Sequence, residues 1–155
     1  MDIILQNQPK ELHEMPVKKI NPFKLRDFRG VKPEFIVRLE TLGIKNTSQM
    51  LSEGQTVASR SSLAKQAGIP YEVVLELVKL SDLARLPGVK GIRARLYYDA
   101  GVDCVEKLAV YEPEALLEET AAFVKRTGFE GIAPLPKEVS STITNARTLP
   151  KVVEW

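Results

Sequence analysis

The sequence predicts an all-α protein in which short helices form a compact orthogonal bundle. Apolar residues recur at three- and four-residue spacing in short segments, and these segments stop at glycines such as Gly43, Gly68, Gly101 and Gly128. Alternation of the kind that indicates strands is scarce, and only residues 2–6 fit a strand. Helices of about 8–14 residues are unstable alone in water, so they must bury their apolar faces against one another.

Start and stop signals place the individual helices. We predict helices over residues 33–42, 59–67, 113–127 and 136–148, a helix that starts at Pro70 with a buried stripe from Val73 to Leu80, a helix that ends at Gly101, and short helices after Asn46 and Asp103. Asn46 with Gln49, and Asp103 with Glu106, have the spacing of a capping box.

Composition excludes several classes of protein. A chain of 155 residues with 44% hydrophobic residues suits one domain with a real core. One cysteine and one histidine can form neither an internal disulfide nor a Cys/His zinc site. No apolar run approaches the roughly 20 residues of a membrane helix, and residues 1–7 lack the pattern of a secretory signal. We therefore expect a cytoplasmic protein that makes no membrane contact.

Charge is distributed unevenly along the chain, although its net charge is only +2. Residues 85–95 contain four bases and no acid, whereas residues 99–119 contain seven acids and one lysine. Such neighbouring segments can concentrate potential on one face of a fold, or they can be ordinary solvated helix faces.

An internal repeat relates the two halves of the chain. Gly-Val-Lys occurs at 30–32 and again at 88–90, and the same offset of 58 residues pairs Leu-Gly-Ile at 42–44 with Ala-Gly-Val at 100–102. We predict two related halves, residues 31–85 and 86–155, within one compact domain. Residues 1–30 form an N-terminal extension that we expect to pack on the bundle.

The turn in the second half is the most informative segment. Residues 82–96 resemble the helix-hairpin-helix motif of DNA-repair and recombination proteins, with Pro87, Gly88 and Val89 in the turn and a small residue, Ala94, in the following helix. In that family, backbone amides of the hairpin and of the next helix hold a DNA phosphate. The resemblance implies a SAM-domain-like, or double helix-hairpin-helix, arrangement of two such repeats.

Both turns depart from the family pattern at the second glycine. Lys90 occupies that position in the second turn, with Gly91 one residue later, and Lys32 is followed by Pro33 in the first. Either the lysines add a phosphate contact, or their side chains narrow the amide pocket.

A longer series of motifs points to one group. The series comprises Leu-Gly-Ile at 42–44, Arg-Ser-Ser-Leu-Ala at 60–64, Ala-Gly-Ile at 67–69, Leu-Ala-Arg-Leu-Pro-Gly-Val at 83–89 and Ala-Gly-Val-Asp at 100–103. It resembles an uncharacterised family of prokaryotic domains with tandem helix-hairpin-helix units, over residues 31–155. By analogy, the resemblance implies a nucleic-acid role and brings no catalytic residues.

The leading functional hypothesis is a non-catalytic module that binds the backbone of DNA or RNA with little regard to sequence. The candidate binding residues are Gly88, Val89, Lys90, Gly91, Arg93 and Arg95 in the second half, with Gly30 and Lys32 in the first. We expect no catalytic activity, cofactor or metal, since no nucleophile–base motif, nucleotide loop or ligand cluster is present. The alternative is a protein-interaction scaffold or a homodimerisation domain, favoured by the near-neutral total charge and the acidic segment.

Overall fold

The computed structural model describes residues 22–155, so the predicted strand at 2–6 and most of the N-terminal extension lie outside it. Within the described residues there are helices and no strands, which confirms the all-α class. A 3-10 turn, Leu25–Asp27, is followed by α1 (Pro33–Thr41), α2 (Thr47–Glu53), α3 (Val57–Ala67), α4 (Tyr71–Leu83), α5 (Gly91–Asp99), α6 (Val105–Ala109), α7 (Pro113–Thr127) and α8 (Pro136–Thr148). None of these helices is long and apolar enough to cross a membrane.

Local signals explain most of the helix ends. Pro33 occupies the start of α1, where its missing N–H costs nothing. The Asn46 side chain accepts a hydrogen bond from the Gln49 amide at 2.9 Å, so the predicted capping box of α2 is confirmed. Gly68 ends α3 in the left-handed region with φ +67°, a conformation that strains other residues.

Two predicted helix starts are wrong. Helix α3 begins at Val57 rather than Ser59, because Thr56 caps it by accepting from the Ser59 amide at 3.0 Å. Helix α6 has Cys104, not Asp103, as its cap residue, and no side chain caps it. The Asp103 carboxylate instead accepts from Lys79 Nζ at 2.6 Å, which ties it to α4.

The core centres on α4 and on the corresponding helix of the second half, α8. Helices α2 and α3 pack on α4, while α6 and α7 pack on α8 in the same order. Helix α4 also packs on α5, and its Leu77, Leu80 and Leu83 are fully buried. The arrangement leaves the turns that precede α1 and α5 on the surface.

The described part of the predicted extension, residues 22–30, packs on the bundle. Leu25 is fully buried and its amide donates to the Lys45 carbonyl at 2.9 Å. The Thr47 amide donates to the Phe23 carbonyl at 2.8 Å. These bonds fix the chain against the α1–α2 connection just before the first turn.

Candidate nucleic-acid interface

The two turns share a glycine with positive φ at the same distance from the following helix. Gly30 (φ +84°) lies three residues before α1, and Gly88 (φ +80°) lies three residues before α5. Both glycines are exposed and adopt a conformation that other residues rarely take. Lys32 and Lys90 occupy the cap positions of the two helices, and neither makes a side-chain capping bond.

The second turn leaves main-chain donors without acceptors. The Val89 amide donates to the Leu86 carbonyl at 3.0 Å and closes the turn. The amides of Gly88, Lys90 and Gly91 find no acceptor within residues 22–155. These donors lie at the positive end of the α5 dipole, where an anion is stabilised.

The first turn shows the same feature. The amides of Gly30, Val31 and Lys32 have no acceptor in the described part of the chain, whereas the Phe35 amide bonds to the Lys32 carbonyl at 3.0 Å. The amides of Gly30 and Lys32, and the equivalent amides of Gly88 and Lys90, are therefore available to a ligand, whereas Pro33, which corresponds to Gly91, has no N–H to offer.

The sequence-predicted residues of the turns divide into exposed and buried sets. Gly88, Lys90, Gly30 and Lys32 are exposed. Val89 is only 2% exposed and belongs to the core. Gly91 is buried beneath the Phe23 ring.

The contact at Gly91 is close. A Cβ atom there would lie 2.5 Å from Phe23 Cζ, so any side chain would displace the ring. This contact explains why a glycine occupies position 91, because the Phe23 ring needs the space.

The Arg93 side chain is bonded to residues that follow α7 in the sequence. Its Nη1 donates to the Ile132 carbonyl at 2.6 Å, and its Nη2 pairs with Glu138 Oε2 at 3.1 Å. The side chain therefore fastens α5 to the connection between α7 and α8.

Arg95 is buried between the two turns. Its Nη1 donates to Glu76 Oε2 at 2.7 Å and to Asp99 Oδ1 at 3.2 Å. The guanidinium also lies against Gly30, where a Cβ atom would be 3.0 Å from Arg95 Cζ. The exposed charge at the turns that has no ion-pair partner among the described residues therefore comes from Lys32 and Lys90, while Arg95 joins the first turn to α5.

Several acids of residues 99–119 are engaged within the molecule. Glu106 accepts from Trp155 Nε1 at 3.1 Å. Burial alone would raise the pKa of Asp103, but hydrogen bonds from Lys107 and Lys79 lower it below the ordinary value. The Glu119 carboxylate accepts from the Tyr111 hydroxyl and raises the pKa of Tyr111 to about 12.

The remaining acids are placed at one end of α7. Glu114 lies in its first turn and Lys125 and Arg126 lie in its last turn. A helix of 15 residues is about 22 Å long. The acidic start of α7 is therefore far from its basic end. The basic end is followed in sequence by Phe129, which lines the cleft beside the first turn.

A cleft of about 210 Å³ lies between the first turn and α5. Gly30, Ile92, Arg95 and Phe129 line it, and the Arg29–Glu130 ion pair forms its rim. Phe129 and Glu130 were not among the predicted site residues. They lie about thirty positions beyond the end of α5 in sequence, and no local pattern indicates that they fold back onto it.

The sequence model of a family described as a domain of unknown function (DUF4332) matches residues 29–149. The chain belongs to this DUF4332 family. The match spans both turns and helices α1 to α8. Membership confirms the predicted relation to an uncharacterised family. No curated protein and no solved structure matches the DUF4332 chain. No group of three or more His, Cys, Asp or Glu side chains suited to a metal occurs among residues 22–155 of this DUF4332 domain.

Proposed function

We propose that this domain is a non-catalytic module that binds the phosphate backbone of DNA or RNA through two helix-hairpin-helix-like turns. Each turn supplies main-chain amides at the start of a nine-residue helix, and Lys32 and Lys90 add exposed positive charge. Contacts of this kind position a nucleic acid without reading its sequence.

One observation carries the proposal: two equivalent amides lack acceptors at both turns, those of Gly30 and Lys32 in the first and, 58 residues later, those of Gly88 and Lys90 in the second. Unpaired amides at a helix N-terminus favour an anion because the donors and the dipole act together. The lysines can reach a neighbouring phosphate since both are exposed and neither is in an ion pair with another described residue.

Arg95 supports the use of both turns by one ligand. Its side chain contacts Gly30 and stems from the helix that follows the second turn. Gly91 and Arg95 lie one helical turn apart, about 6 Å along the axis, and they meet Phe23 and Gly30 respectively. The segment that carries the first turn therefore runs alongside α5.

The experiment that tests the proposal is a fluorescence-anisotropy titration with short labelled duplexes over a series of salt concentrations. Affinity is expected to fall linearly on a log–log plot, and Lys90→Glu is expected to lower it for unrelated sequences alike and to reduce the slope by about 1. Lys65→Glu, an exposed change on α3, is the matched control and should leave the slope unchanged. A salt-independent titration, or normal binding by Lys90→Glu, rejects the proposal.

The rival function is a protein-interaction scaffold, and exposed apolar side chains favour it. Ile132 is 83% exposed and Leu135 is 63% exposed in the connection between α7 and α8. Exposed apolar groups that lie close together are typical of interfaces. A concentration-dependent dimer in size-exclusion chromatography with light scattering, lost in Ile132→Ser, would establish this rival.

A further inference from the structure

The cleft between the first turn and α5 combines apolar walls with a buried cation. Ile92 and Phe129 form the walls, and the exposed ion pair of Arg29 and Glu130 forms the rim. Arg95 and Asp99 also line the cleft, and the Arg95 side chain is only 9% exposed. The proposed phosphate-binding turns do not account for this cleft.

The Arg95 guanidinium has one edge without partners. Nη1 donates to both Glu76 and Asp99, whereas the buried Nε and Nη2 have no acceptor among residues 22–155. A buried donor of a charged group that lacks an acceptor destabilises the folded state. An acceptor that reaches this edge therefore recovers a large interaction.

Gly30 does not fill that edge. A Cβ atom on Gly30 would be 3.0 Å from Cζ, 3.0 Å from Nη2 and 3.2 Å from Nε of Arg95. Because Cζ is no farther than the nitrogens, Gly30 lies over the flat face of the guanidinium. The edge itself carries two parallel N–H donors, and both are buried. Because Arg95 and the exposed Gly30 both line the cleft, a small shift of the turn at Gly30 brings this edge to the cleft.

The charges around the cleft disfavour an anionic occupant. Glu76 and Asp99 already neutralise Arg95, and Glu130 pairs with Arg29. The occupant must instead be uncharged where it meets Arg95, flat enough to lie along Phe129, and equipped with two adjacent acceptors. The O6 and N7 atoms of guanine form such a pair and are the preferred partners of an arginine fork.

We propose that the cleft binds an unpaired guanine base. Arg95 Nε and Nη2 donate to guanine O6 and N7, and the Phe129 ring stacks on the base, a contact that other aromatic side chains make with single strands. The exposed Arg29–Glu130 pair costs little to open, since surface ion pairs contribute little. This inference rests on the proposed function, because a strand held at either turn would present its base to the cleft.

The test compares two labelled single strands by fluorescence anisotropy: oligothymidine, and the same strand with one central guanine. The full chain is expected to bind the guanine strand about tenfold more tightly, the range of one good bidentate base contact. Arg95→Lys keeps the charge but loses the fork, and Phe129→Ala removes the stacking wall. Both variants are expected to lose the preference for guanine and to bind the two strands equally.

Ile132→Ala is the matched control, since Ile132 lies on the same connection as Phe129 but outside the cleft. It should retain the preference for guanine. Phe129→Ala keeps the test decisive if Arg95→Lys fails to fold, which a thermal melt would show.

The outcomes separate this inference from the proposed function. Equal, salt-dependent binding of both strands by the unmodified protein overturns the guanine site and leaves phosphate binding intact. A guanine preference that survives both substitutions overturns the site as well. Calorimetric binding of guanosine 5′-monophosphate, with no binding of either strand, supports the cleft and rejects the proposed function. Failure of both strands and of the mononucleotide overturns both.

Discussion

The first turn follows a three-residue 3-10 segment, whereas the second follows the 13-residue helix α4. Leu25 and Phe28 anchor the first turn in the core, and Val89 anchors the second from within the turn itself. Both nevertheless present exposed glycines with positive φ and amides without described acceptors. A glycine with positive φ therefore occurs in both turns although the preceding elements differ in length, whereas the bond that closes the turn, from the Val89 amide to the Leu86 carbonyl, is found only in the second among the described residues.

The two turns also differ in the elements that they contact. Phe23 lies over Gly91, and Gly30 lies over Arg95, so the first turn rests on the helix that follows the second. The second turn is built from α4 and α5, which pack directly on each other. The position of the first turn therefore depends on tertiary contacts with α5. Substitutions that remove or crowd the buried residues next to this turn test that dependence.

The largest effect is expected at Leu25. Leu25→Ala removes a fully buried side chain and should lower the free energy of unfolding by about 3 kcal/mol. Urea unfolding followed by circular dichroism measures it. Leu42→Ala, at a side chain that is 39% exposed, is the control and should cost much less. If Leu25→Ala also costs under about 1 kcal/mol, the first turn is not anchored through this residue.

A smaller effect is expected at Gly91. Gly91→Ala forces a methyl group against the Phe23 ring and should cost about 2 kcal/mol. The double variant with Phe23→Ala should recover part of that loss, because the clash is removed. Additive costs of the two substitutions in urea unfolding would show that the ring does not restrict this position.

Sequence reasoning predicted the features that local physics determines. Pro33, Gly68 and Gly128 mark helix boundaries because fixed φ or positive φ decides the backbone there, and these boundaries are confirmed. The start of α3 was missed because Thr56 pairs with a serine, Ser59, rather than with the glutamate or glutamine typical of a capping box.

The partners of the candidate site could not be predicted from the sequence. Arg95 had the pattern of a solvent-facing base, but Glu76 and Gly30 approach it from distant parts of the chain. Asp103 had the spacing of a cap, yet its carboxylate accepts a hydrogen bond from Lys79 on α4 instead of capping a helix. Such outcomes depend on packing between elements, which periodicity does not reveal. The helix-hairpin-helix character of both turns remains a prediction.

The smallest effect on the free energy of unfolding is expected near the starts of α2 and α6, which correspond to each other in the repeat. Asn46 caps α2, whereas near α6 the neighbouring Asp103 pairs with Lys79 and Lys107. Asp103→Asn should lower the free energy of unfolding at neutral pH by about 1 kcal/mol.

The pH dependence identifies the cause. Because the pKa of Asp103 is lowered in the folded state, its contribution is present above the ordinary value of 3.8 and is lost as the pH falls through the folded pKa. The difference between the two proteins in urea unfolding should therefore shrink in acid. A difference that stays constant at every pH would assign the effect to packing instead of charge.

The most direct test of phosphate binding at the turns is a titration of the 15N-labelled protein with a short duplex, followed by amide chemical shifts. We expect the largest shifts at Gly88, Lys90 and Gly91 and, with them, at Gly30 and Lys32, and we expect added salt to reverse them. Shifts confined to the exposed apolar connection around Ile132, with both turns unchanged, would contradict the account.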